Sequence, residues 1–301
     1  MAKIDISRVT APSIALIHLP IEKAFETLAD IGFKKVDLLE KMPHFSLFDD
    51  ECDVNEIKKA AAKYGLQICF LNTYVGGGAH GRESAWRHHP GFQFPNRDRY
   101  TSRGFASDDL DELKIEYKHV CRAIDLAVFL GARGIRFVPG DDDPEKIDKM
   151  VPWLKKCAAY DAKKGICMAT ENHDTGIMGT PEILVDLINK IGSPNVGIIY
   201  EPFNLLEQAS YDYRKAFEVM REHILHVHFK DGKLFPDVRN YRPVMMGEGE
   251  IDFRWILERL EDIGYQHEIA LEYEVAEVPA EQGLRQYLDN FFRLVASNHT
   301  E

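Results

Sequence analysis

The chain has 301 residues, 45% of them hydrophobic and 29% charged, with a formal net charge of −12. This composition excludes a disordered chain, and the length allows a large core without disulfide or metal staples. An acidic surface repels phosphate backbones, which argues against a nucleic-acid partner; the one basic stretch, Arg82 to Arg103, is scattered and rich in histidine.

Short apolar runs of β type alternate with longer segments of helical period, a pattern that predicts βα units around a parallel sheet. A strand at 13–17 leads to a helix at 21–31, and a strand at 35–40 to a helix at 54–64. Strand 67–72 is followed by helix 109–130, strand 134–138 by helix 144–164, and strand 166–171 by helix 181–191. The last three pairs are 196–201 with 211–222, 224–230 with 253–263, and 268–273 with 280–296. Gly32, Gly65, Gly131, Gly165, Gly192 and Gly264 follow predicted helices, where a left-handed residue ends a helix at little cost. Eight strands, each followed by a helix, predict an α/β chain folded as a single (β/α)8 TIM barrel domain over residues 1–301. The rival, a doubly wound sheet, usually has fewer strands and a glycine-rich first turn. Neither GxGxxG nor GxxxxGK(S/T) follows any strand, so those modes of nucleotide binding are not supported.

One segment breaks the rhythm. Residues 73–107 carry Gly76-Gly77-Gly78, His80, Trp86, His88 and His89 between the third strand and the next helix. A long loop after a barrel strand lies on the face where active sites are built, so it is a substrate lid, a solvated excursion or a subunit contact. The five cysteines, Cys52, Cys69, Cys121, Cys157 and Cys167, show no CxxC pairing, and several sit in apolar segments. They read as reduced packing residues of a cytoplasmic protein. No apolar run approaches the roughly 18–20 residues that cross a bilayer, and the N-terminus lacks the apolar stretch of a signal peptide, so no membrane association is expected.

Four late strands end in groups that bind metals. They read Ile166-Cys167-Met168-Ala169-Thr170-Glu171-Asn172-His173, Val196-Gly197-Ile198-Ile199-Tyr200-Glu201-Pro202, His226-Val227-His228-Phe229-Lys230-Asp231 and Ile269-Ala270-Leu271-Glu272-Tyr273-Glu274. A single glutamate at a strand end is more often half of an ion pair than a ligand. Four such ends in series, one bearing histidine, change that balance, because strand ends at a barrel mouth converge on the axis. Three carboxylates and one imidazole make an oxygen-rich site that favours Mn²⁺, Mg²⁺ or Co²⁺ over a closed thiolate-type zinc site.

These strings, with Glu201-Pro202-Phe203-Asn204 and Met246-Gly247-Glu248-Gly249-Glu250, resemble the xylose isomerase-like barrels called sugar phosphate isomerases/epimerases, among them ketose 3-epimerases, hydroxypyruvate isomerases and inosose dehydratases. The likeness covers most of the chain, is strongest from Gly131 to Glu274, and is loose in the first third. It implies metal ligands at Glu171, Glu201, His228 and Glu272, one divalent cation (Mn²⁺ first, with Mg²⁺, Co²⁺ or Zn²⁺ as alternatives), and a homodimer or homotetramer. One departure stands out: the sixth strand usually ends in Asp-Pro, and here it is Glu201-Pro202. The extra methylene either lengthens the reach to the metal, binds it differently, or leaves the place to a water.

The likeness also implies that Glu171 and Glu272 flank a sugar as an acid/base pair, moving a proton through an ene-diolate. His173 and Asn172 are expected beside the substrate or behind Glu171, and Lys230 and Asp231 at the rim. His173, Asn72, Lys230 and Arg136 are the candidate substrate-binding residues, with Glu40 and His44 near the same ends of the early strands. The Gly247-Glu248-Gly249-Glu250 stretch reads either as a flexible loop that closes over the site or, through Glu250, as a cap for the helix that begins near Asp252. The expected function is a metal-dependent sugar isomerase or epimerase acting on a small sugar or sugar derivative. The alternatives are a lyase built on the same intermediate (an inosose-type dehydratase, or the barrel subunit of enzymes that cleave 3-oxo-C-glycosides) and a catalytically dead sugar-binding barrel. The related apurinic-site endonucleases, with larger histidine-rich zinc clusters and basic surfaces, fit the acidic chain poorly.

Overall fold

The computed structural model describes residues 6–86, 97–173, 176–207, 211–237 and 240–296. In chain order the first half contains β1 (Val9–Pro12), α1 (Ile21–Ile31), β2 (Lys35–Leu39), α2 (Val54–Lys63), β3 (Gln67–Val75), α3 (Gly78–Trp86), α4 (Leu110–Leu130), β4 (Gly134–Phe137) and α5 (Ile147–Lys164). The second half contains β5 (Cys167–Glu171), α6 (Gly176–Gly179), α7 (Pro181–Ile191), β6 (Val196–Tyr200), α8 (Pro202–Glu207), α9 (Tyr213–Met220) and β7 (Ile224–Phe229). It ends with β8 (Gly232–Phe235), β9 (Asn240–Pro243), α10 (Phe253–Asp262), β10 (Ile269–Leu271) and α11 (Ala280–Ala296). Eight of the strands, all parallel, close into a barrel in the order β1-β10-β7-β6-β5-β4-β3-β2, with the helices packed outside. This is the predicted (β/α)8 architecture.

The outer core lies between strands and helices. Each helix turns one apolar stripe inward, as α1 does with Ala24, Phe25, Leu28 and Ile31. Aspartates start several helices: Asp53, Asp109, Asp212 and Asp252 accept from backbone amides of the first turns of α2, α4, α9 and α10. Asp252 therefore caps α10 itself. Glu250 instead accepts from Leu234 N and Tyr241 Oη of the β8–β9 hairpin, which corrects its expected role.

The first strand is displaced from its predicted place. Val9 and Thr10 pair with Ile269 and Ala270, Pro12 pairs with Asp37, and residues 13–16 then turn into a 3₁₀ helix. The amide of Leu39 bonds to Ser13 Oγ rather than to another strand, so the ladder stops at Pro12. The apolar alternation at 13–17 serves a different packing: Ile14 and Ile17 sit against Leu39, Tyr74 and Val138.

The segment after β3 carries structure of its own. β3 runs on to Val75, α3 follows, and 3₁₀ turns form at Arg97–Arg99 and Gly104–Ala106; His88 and His89 lie outside the described residues. Its two ends cross so closely that a Cβ on Gly104 would lie 1.9 Å from Gly76 O, and both glycines have positive φ. Glu116 of α4, fully buried, fastens this crossing by accepting from Gly76 N at 2.6 Å and Thr101 Oγ1 at 2.5 Å. Glu116→Ala is expected to lower the unfolding free energy by about 1–3 kcal/mol, because two buried donors lose their acceptor. A urea midpoint equal to that of the wild type would show that the crossing does not depend on this carboxylate.

Candidate active site

Alternate residues of each strand point into the barrel, so the last inward residues of the strands meet at the mouth. Glu171 ends β5, His228 lies one residue before the end of β7, and Glu272 follows β10, its amide bonded to Phe229 O at 3.0 Å. The ligand atoms of these three side chains lie within 4.8 Å of one another, and all three residues are buried. His228 Nδ1 is 2.8 Å from Glu171 Oε1 and 4.0 Å from Glu272 Oε2. An imidazole and two carboxylates at this spacing match the donor set of a divalent-cation site.

Cations hold both carboxylates in place. Arg136 of β4 donates to Glu171 Oε2 at 2.6 Å, and its guanidinium lies over the Tyr74 ring. Lys230 Nζ is 3.1 Å from Glu272 Oε2 and 2.9 Å from Glu274 Oε2. Burial works against ionised Glu171, but the charges of His228 and Arg136 outweigh it and hold the carboxyl well below its usual range. Burial likewise disfavours the His228 imidazolium, and Glu171 and Glu272 reverse that, raising its pKa to about 9. Burial also opposes the Lys230 ammonium, yet Glu272, Glu274 and Glu201 keep it charged.

Glu201 is placed differently. It is buried beside the group, but its two oxygens accept from the amides of Phe203 and Asn204, so the side chain caps α8. Its ligand atoms are not among those that converge with Glu171, His228 and Glu272. Burial, with Glu272 and Glu171 adding to it against Lys230, raises its pKa to about 8. The longer side chain folds back onto its own backbone, which the residue type alone does not reveal.

The remaining candidates fall into two groups. Arg136, Asn72 and Lys230 stand on inward positions near the mouth, and buried Arg136 Nη2 and Asn72 Oδ1 have no hydrogen-bond partner among the described residues. Two unsatisfied polar atoms beside the carboxylate group are what a polar ligand would satisfy. His173 follows β5, is half-buried, and adds positive potential at Glu171. Glu40 and His44 serve the architecture. Glu40 pairs with Arg82 of α3 in a buried ion pair that ties the segment after β3 to the rim, while Arg82 also donates to Tyr74 O and Gly78 O. His44 Nε2 bonds to Leu16 O and Leu19 O, both at 3.1 Å, and burial lowers its pKa to about 4. Asp231 gathers the loop before α10 by accepting from the amides of Gly232, Gly247, Gly249 and Ile251.

Two inward residues of this region were not singled out from the sequence. Asp37 of β2 is fully buried beneath the mouth, between His226 and His228, and Arg133 reaches His226 from the opposite end of the barrel. Their only sequence signals are an acid inside the apolar run Val36 to Leu39 and an arginine just before a strand.

A family model described as "Xylose isomerase-like TIM barrel" matches residues 25–294. Among curated proteins, the uncharacterized protein MJ1311 of Methanocaldococcus jannaschii is 29% identical over 151 residues, 48% of this chain and 50% of that protein, so the match spans half of the relative's length. Solved structures similar to this chain include the IolI protein with a bound zinc atom, at TM-score 0.71 and 15% identity, covering 98% of this chain and 100% of that one. The D-allulose 3-epimerase of a Methylomonas species gives 0.69 and 16%, covering 95% and 97%. The 3-keto-D-glucoside 4-epimerase YcjR of E. coli gives 0.67 and 17%, covering 96% and 99%. At these identities the structural likenesses establish a common fold.

Proposed function

The chain belongs to the xylose isomerase-like TIM barrel family, and from that premise we propose that it is an enzyme that isomerises or epimerises a small sugar or sugar derivative, using one divalent cation. The observation that carries this reading is the meeting of Glu171, His228 Nδ1 and Glu272 within 4.8 Å at the barrel mouth. The epimerase activities named for two proteins of the same fold, and the zinc bound in a third, support it. We assign Glu171, His228 and Glu272 as ligands and leave Glu201 out, because both of its oxygens are engaged by backbone amides. Two carboxylates and one imidazole suit manganese.

When bound, the cation supplies Lewis-acid polarisation of a substrate carbonyl and its neighbouring hydroxyl. The chain's own residues do the rest. Glu272 and Glu171 face the same space, one to take the proton from the carbon beside the carbonyl and the other to return one. Return to the opposite face of that carbon gives an epimer, and return to the neighbouring carbon gives an isomer. Arg136 keeps Glu171 ionised and aimed, and Lys230 holds Glu272. The free donor and acceptor on Arg136 and Asn72 are placed to bind substrate hydroxyls.

The test is a screen of ketoses and 3-oxo-glycosides in D₂O with added Mn²⁺. Deuterium uptake at carbon, with the substrate's composition unchanged, is the expected result. Release of water or an aglycone would put the reaction in the lyase class, and no uptake with any sugar, on a chain that binds Mn²⁺, would end the proposal.

A further inference from the structure

A column of polar side chains runs up the barrel axis beneath the proposed ligands. At the lower end Arg133 donates to Glu268 Oε2 at 2.8 Å and to Leu225 O at 3.0 Å, and its Nη2 lies 2.9 Å from His226 Nδ1. His226 Nε2 lies 2.6 Å from Asp37 Oδ2, and Thr10 Oγ1 donates to Asp37 Oδ1 at 3.1 Å. Asp37 Oδ2 then faces His228 Nε2 across 3.8 Å, and on its other side His228 turns Nδ1 to Glu171. Asp37, His226 and His228 are completely buried, and His228 Nε2 has no hydrogen-bond partner among the described residues.

The chemistry of each link determines the next. A guanidinium has only donors, so His226 Nδ1 must accept from Arg133 and His226 Nε2 must carry the proton that goes to Asp37. Asp37, which accepts from both His226 and Thr10, is a carboxylate with acceptors alone. The nearest group to the unpartnered His228 Nε2 is therefore an acceptor, 3.8 Å away, which favours a proton on Nε2. Nδ1 donates to Glu171 Oε1 at 2.8 Å, and it is this Nδ1 proton that an incoming cation would displace, baring the lone pair between the two carboxylates.

We propose that Asp37 is a positioning residue for the metal centre, fixing His228 as the Nε2–H tautomer so that Nδ1 is presented to the cation between Glu171 and Glu272. The inference rests on the metal reading above and adds to it a residue on the opposite side of the imidazole. Carboxylate partners behind a ligating histidine act this way by fixing its tautomer and raising its basicity. Asp37, His226 and His228 also lie close enough together to suggest a second cation site of their own. Arg133 beside His226 and the hydroxyl on Asp37 oppose that reading, since a cation there would meet a guanidinium and displace hydrogen bonds already made.

Zinc serves as the probe because it is diamagnetic. Titration calorimetry of the full chain should give one Zn²⁺ per molecule, with Asp37→Asn binding about 10- to 100-fold more weakly. In the zinc-loaded wild type, ¹⁵N-detected imidazole spectra should show His228 protonated at Nε2 and bare at Nδ1; this readout needs no variant and is not moved by a merely structural role. An Asp37→Asn affinity within twofold of the wild type, a proton on Nδ1, or two zinc ions per chain would each overturn the proposal. A wild-type chain that takes up no zinc would overturn both this proposal and the metal reading, whereas uptake with the wrong tautomer overturns this one alone.

Discussion

Glu171→Gln and Glu272→Gln are each expected to cut solvent hydrogen exchange into the substrate by about 100- to 10,000-fold, the range contributed by a positioned acid/base group. Glutamine matches glutamate in volume, so the packing of β5 and β10 is retained, but a carboxamide takes no proton from carbon. The two positions differ in what surrounds them. At position 171 the new amide would have to face two donors, Arg136 Nη1 and His228 Nδ1, where the carboxylate accepted from both. Position 272 is held by Lys230, which keeps its second partner in Glu274 when Glu272 is neutralised. Both variants alter a proposed ligand, and Glu272→Gln, which leaves Lys230 its second partner Glu274, is the cleaner test of chemistry. Circular dichroism and elution volume should match the wild type for both. Retention of most of the exchange rate by either variant would remove that residue from the acid/base pair.

The eight predicted helices and seven of the eight barrel strands stand close to their predicted places, because each is a run of β-type or helical period and most of the helices are bounded by a glycine or a capping aspartate. The first strand does not, since the alternation at 13–17 is the same whether the chain runs in a ladder or turns at the rim, and the deciding contact, Leu39 N to Ser13 Oγ, joins residues far apart in sequence. The β8–β9 hairpin escaped notice for a related reason: it is short and lies where the pattern implied a plain loop. Within the site, Glu171, His228 and Glu272 were legible as strand-end residues on β5, β7 and β10, which lie within four consecutive strands of the barrel. Glu201 was legible as a position but not as a conformation, because a glutamate before Pro202 can reach toward the axis or bend back to cap α8. Asp37 was not legible at all: one acid in an apolar strand reads the same whether it faces the axis or an edge.

Removing the charge of Asp161 is expected to stabilise the protein at high pH and to do little at low pH. Asp161 lies in α5, is fully buried, and neither carboxyl oxygen has a hydrogen-bond partner among the described residues. Burial raises its pKa from 3.8 to about 7. Between those values the folded chain keeps a proton that the unfolded chain releases, so this group makes stability fall as pH rises through that window. Above it the cost is complete, on the order of 4 kcal/mol if the whole shift is expressed. Asn cannot ionise, and Asp161→Asn should therefore gain about 2–4 kcal/mol at pH 8. At pH 3, below both values, the folded and unfolded chains both hold the proton and the gain should be near zero. Urea unfolding at the two pH values measures the difference directly, and an equal gain at both would mean that packing, not ionisation, limits this position. Asp161 lies on the helix side of the barrel wall, in α5, rather than among the strand ends at the mouth, so the exchange reaction should proceed at the wild-type rate in Asp161→Asn. That separation distinguishes a structural carboxyl from the two that handle the proton.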